Sequence, residues 1–141
     1  NAHDERVLTR RAQMAGIDQF RITGFVDETT FRDYLLGIDV GIQLRISPLL
    51  GVSGPLSDLA AFGTPAVASR GLAIDVDTPD YVTRLPDDVS PMLVAEAIEE
   101  VLNRPSTAQE REAARQDYLA RHSPDRYARL LLDVLEASVS S

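Results

Sequence analysis

The chain contains no cysteine in 141 residues. Disulfides, a thiolate nucleophile and cysteine-ligated zinc are thereby excluded together, as expected of a cytoplasmic protein. Histidine is almost as scarce. His3 lies by the amino terminus and His122 just before a helix cap, so neither has a catalytic setting. No Ser-His-Asp arrangement and no metal constellation can be assembled from them. Cations are in deficit as well, with 14 Lys and Arg against 22 Asp and Glu and a net charge of −8. That balance argues against a nucleic-acid surface, where clustered cations are needed. It leaves room for a small anion, because backbone N–H groups at a helix terminus and one or two arginines hold a phosphate even in an acidic protein. No apolar run approaches the roughly 20 residues of a membrane span, and no signal-peptide pattern opens the chain. With 44% hydrophobic and 26% charged residues, the remainder reads as a globular domain with one ordinary core.

Periodicity orders the elements. A helix is predicted over 4–15, with Val7, Leu8 and Ala15 inward and Gly16 as its stop. Residues 20–23 read as a short strand closed by Gly24. Asp27 is placed to cap a helix carrying Phe31, Tyr34, Leu35 and Ile38, and Val40, Ile42 and Leu44 then alternate as a strand. The stretch "LLGVSGPLSDLAAFGTPAVAS" (49–69) follows. It reads as a loop, a helix with Gly54 as N-cap and Pro55 in its first position, a stop at Gly63, and a buried strand over 65–69. A weaker strand is expected over 81–85. Three helices close the chain, opened by Ser90-Pro91, by an S-x-x-Q capping box at Ser106 and Gln109, and by Ser123-Pro124. Strands alternating with helices imply a parallel sheet with right-handed crossovers. A doubly wound sheet normally opens on a strand, so a chain that begins on a helix is expected to lack its first strand and helix.

Ligands of open α/β sheets bind beyond the carboxyl ends of the strands. The loop over 45–54 occupies such a place, and Gly51, Ser53 and Gly54 crowd its exit into a helix. Glycines permit close approach of a phosphate, and they also build ordinary tight turns. The N–H groups of Leu56 and Ser57 are expected to be open to an anion, and Ser53 offers a hydroxyl. Asp58, about one turn inside the helix, either complements the helix dipole or accepts hydrogen bonds from sugar hydroxyls. Arg45, at a strand's carboxyl end, either counters a diphosphate or is simply solvated.

The order of these motifs resembles the C-terminal half of group 1 (family-4) retaining glycosyltransferases of the GT-B fold. The resemblance rests on Gly24-Phe25-Val26 before a helix, on Ile38-Asp39-Val40, and on Ser53-Gly54. It extends through Ala61-Phe62-Gly63-Thr64-Pro65-Ala66-Val67-Ala68-Ser69 and spans roughly residues 20–105, with "ARHSPDRYARLLLDVL" similar to the family's closing helix. It implies a Rossmann-like open parallel sheet with helices on both faces over 1–121, then a C-terminal helix and tail over 122–141. The acceptor-binding N-terminal domain is then absent, and this portion alone is expected to be inactive. A UDP- or GDP-sugar donor would place its diphosphate at Ser53 and Gly54, its ribose at Asp58 and its base near Gly24, Phe25 and Val26. A hexose would pass to an acceptor in bacterial polysaccharide or glycoconjugate synthesis, without a cofactor or metal. The setting implied is the cytoplasm or the periphery of the inner membrane. One departure is plain. The family's E-x7-E pair calls for a glutamate where Leu50 stands, or at Gly51 in a related subgroup, and neither side chain can bind sugar hydroxyls. A non-catalytic interaction module on a degenerate transferase scaffold is the alternative reading.

Overall fold

A computed structural model describes residues 2–45, 51–104 and 107–139. Contacts divide the chain into two units, Asn1–Arg32 and Asp33–Ser141, each described by itself.

In the first unit, α1 (Ala2–Met14) carries Asp4 and Glu5 in its first turn and Arg11 in its last, charges that complement the helix dipole. It stops as the sequence predicts: Gly16 is left-handed with φ 73°, and the Ile17 N–H reaches back to the Ala12 carbonyl at 2.9 Å. The expected strand over 20–23 is not formed. Strand geometry needs a neighbouring ladder, and among the described residues none pairs with this segment. Asp27 does cap the next helix, α2 (Glu28–Gly37), accepting from both the N–H and the hydroxyl of Thr30 at 2.9 Å. Those bonds hold its carboxyl below the ordinary aspartate range.

The second unit is a mixed α/β fold on a three-stranded parallel open sheet, in the order β1 (Gly41–Gln43), β2 (Ala66–Ser69), β3 (Val82–Leu85). The central strand β2 is buried along its whole length, as a continuous small apolar run in a parallel sheet should be. Its alternation divides the core. Ala66 and Ala68 pack with Val82 against α3 (Gly54–Phe62) and α4 (Arg70–Val76), through Leu56, Leu59, Ala60, Leu72 and Ala73. Val67 and Leu85 turn the other way, onto Ala97 and Val101 of α5 (Pro91–Asn103). Helices therefore cover both faces. Burying a side chain such as Leu56 or Val67 completely stabilises the fold by roughly 1.5–3 kcal/mol.

Side-chain bonds fix the outer helices. Arg104, at the end of α5, donates to the Asp80 carbonyl at 3.3 Å and the Thr83 hydroxyl at 3.4 Å, tying that helix to the start of β3. The next helix, α6 (Ala108–Arg121), lies on α3, where Arg115 donates to the Ala61 carbonyl at 2.7 Å and Tyr118 is buried. Its capping box is formed by Thr107 and Glu110. The box expected at Ser106 involves a residue outside the described ones. The last helix, α7 (Pro124–Val139), begins where Ser123-Pro124 predicts, and its apolar residues Tyr127, Leu130, Leu131, Val134 and Leu135 are exposed.

Candidate functional site

The carboxyl edge of the sheet is organised by Ser69, the last residue of β2. It is 1% exposed. The hydroxyl accepts the Arg45 N–H at 2.8 Å and donates to the Arg45 carbonyl at 3.2 Å, so it holds the backbone just beyond β1 from both sides. Because Ser69 is committed there, it does not cap α4. The Asp87 carboxylate meets the Gly71 N–H instead, at 2.9 Å. Arg45, half-buried, sends its guanidinium to the Gly51 carbonyl at 3.2 Å. Gly51 has φ 133°, a conformation that other residues rarely adopt. Residues 46–50, Leu50 among them, lie outside the described residues.

The entrance of α3 differs by one position from the sequence expectation. Ser53, not Gly54, is the N-cap; it is 4% exposed, and its hydroxyl accepts from the Leu56 N–H at 3.4 Å. Gly54 is the first helical residue and Pro55 the second. The Ser57 N–H meets the Ser53 carbonyl at 2.9 Å. Two donors expected to be open are thus used inside the helix. Serine outcompetes glycine here because it brings an acceptor for a first-turn N–H, which glycine lacks. Pro55 has no N–H, so the Gly54 N–H is the first-turn donor left without an acceptor among the described residues.

Asp58 is half-buried in the same helix. Burial pushes the Tyr118 hydroxyl above the ordinary tyrosine range, the hydrogen bond with Ser57 opposes the rise, and the Asp58 carboxylate adds to it. Ser57 and Asp58 therefore sit in reach of α6. Arg45, Gly51, Ser53, Gly54 and Asp58 share one unit. Gly24, left-handed at φ 62°, Phe25, fully exposed, and Val26, half-buried, belong to the other. Ser69 is the residue that reading the sequence for polar side chains missed, since a serine closing an apolar strand carries no sign of which backbone it will grip. Among the described residues no group of three or more acidic or imidazole side chains gathers closely enough for a metal ion. No described helix is long and apolar enough to cross a membrane. Compared with protein-family models, with curated proteins and with solved structures, the chain matches none.

Proposed function

We propose that the chain binds the diphosphate of a UDP- or GDP-sugar at the entrance of α3, as the donor-binding domain of a retaining GT-B glycosyltransferase. The observation that carries this reading is the convergence, beyond the carboxyl ends of parallel strands, of the Gly51 turn, the Arg45 guanidinium and the open Gly54 N–H at a helix N-terminus. A diphosphate there takes Arg45 from the Gly51 carbonyl and accepts from Gly54. The helix dipole adds roughly 0.3–1 kcal/mol for an anion at this end. As the bond from the anomeric carbon to the diphosphate breaks and one to the acceptor oxygen forms, the same groups stabilise the departing negative charge. Asp58 accepts from ribose hydroxyls.

The test is thermal stabilisation of the protein by UDP, GDP and their sugars. Gly54→Trp, which fills the entrance at an exposed position where a Cβ meets nothing within 4 Å, and Asp58→Ala abolish the shift if the reading holds. No shift with any nucleotide at millimolar concentration overturns it.

A second reading has its own support. The apolar residues of α7 are exposed, Leu130 and Leu135 each at 53%, and large exposed apolar faces mark interaction surfaces. On a non-catalytic interaction module, Gly54→Trp and Asp58→Ala leave function unchanged.

A further inference from the structure

A cleft of about 510 Å³ opens at the other edge of the sheet, among the residues that enter the strands rather than those that leave them. Ile38 and Asp39 precede β1, Pro65 precedes β2, and Asp80 precedes β3; the end of α5 and the first turns of α6 close the sides. Its volume lies within the roughly 300–1,000 Å³ of small-molecule sites. Arg45 and Gly54 follow the strands' carboxyl ends, so nothing about this cleft depends on the donor-binding proposal.

The chemistry of the lining is unusual in one respect. Arg104 is already held by Glu100, the Asp80 carbonyl and Thr83. Arg111, which also lines the cleft, has its Nε shut off from solvent with no acceptor among the described residues. No ligand acceptor can approach that buried Nε, but no hydrogen bond or ion pair holds the rest of the guanidinium among the described residues, which leaves its Nη groups to meet an acceptor in the cleft. A simple carboxylate is a poor candidate. Asp39, Asp80 and Glu110 line the same space, three carboxylates against two guanidinium groups, and repel a bare anion. Glu110 is occupied by the Thr107 N–H at 2.9 Å, whereas the Asp39 and Asp80 carboxylates have no partner among the described residues. Between these charges lies an apolar wall of Ile38, Pro65, Val101 and Leu102.

We propose that this cleft is a binding site for a zwitterionic apolar α-amino acid. The carboxylate accepts from the Nη groups of Arg111, the ammonium group sits between Asp39 and Asp80, and the aliphatic side chain rests on Ile38, Val101 and Leu102.

The experiment is titration of the protein with L-leucine and with two analogues that each lack one charge, 4-methylpentanoate and 3-methylbutylamine, read by calorimetry and by ligand-detected NMR. Leucine binds, and each analogue binds about ten-fold more weakly or less. Arg111→Met weakens leucine by at least about ten-fold, with the fold checked by circular dichroism. The exposed pair Asp39→Asn and Asp80→Asn, which leaves the core untouched, weakens leucine and not 4-methylpentanoate. UDP does not displace leucine. Absence of leucine binding at about 10 mM overturns the assignment. So does equal affinity for leucine and either analogue, and so does leucine affinity unchanged in the aspartate double variant.

Discussion

Leu59 of α3 rests directly on the backbone of Gly41 in β1: a Cβ added to Gly41 would lie 2.6 Å from both methyl carbons of the leucine. This contact sets how closely the helix approaches the strand, and with it where the entrance of α3 stands relative to the turn that leaves β1. Gly41→Ala should cost about 1–3 kcal/mol by overpacking. Urea unfolding checks it. In a Leu59→Ala background, itself about 2–5 kcal/mol less stable, the same change should cost clearly less, because the space it needs has been vacated.

Tyr81 makes the second tie to α3, donating its hydroxyl to the Ala60 carbonyl. Burial pushes its ionisation up to about 12. The folded protein holds the phenolic proton more tightly than the unfolded chain, whose tyrosine titrates near pH 10. The contribution is therefore complete below about pH 10 and is lost as pH rises from about 10 to 12. Tyr81→Phe should cost about 0.5–1.5 kcal/mol at neutral pH and flatten the alkaline limb of a stability-versus-pH curve.

Thr78 gives the opposite expectation. It is 3% exposed, and its hydroxyl has no hydrogen-bond partner among the described residues. Thr78→Val removes a buried polar group of the same shape, so thermal unfolding should show stability unchanged or raised by up to about 1 kcal/mol.

Ser69 joins stability to the site. Ser69→Ala leaves both the N–H and the carbonyl of Arg45 without their 2.8 and 3.2 Å partner, and should cost about 1–3 kcal/mol in urea unfolding. On the donor-binding reading it also weakens nucleotide binding, since it frees the backbone that carries Arg45. Ser53→Ala, which removes only the cap, should cost about 1 kcal/mol.

The elements legible in the sequence are those with a local signal. Asp27, Ser90 and Ser123 announce helices because caps act within one turn, and Gly63 announces a stop because its φ of 74° excludes most other residues. The short apolar run over 65–69 marked the central strand as a buried one. What escaped depends on partners distant in sequence. Residues 20–23 have strand-like side chains, but a strand exists only against a ladder. The helix α4 went unseen because it runs for seven residues, carries a glycine in its first turn, and ends on Asp77 at φ 53° where a glycine would have marked the stop. At the proposed site, the crowd of small residues marked the turn at Gly51 and the start of α3. It could not tell that Ser53 would turn inward as the cap or that Ser69 would hold Arg45, because both depend on how strands and helices from different parts of the chain meet.

Mapping amide resonances during titration with UDP and GDP tests most directly whether a diphosphate binds at the entrance of α3. Diphosphate binding there predicts saturable shifts centred on Gly51, Ser53 and Gly54, abolished by Gly54→Trp. Shifts that leave those amides untouched, or none at millimolar nucleotide, would contradict it.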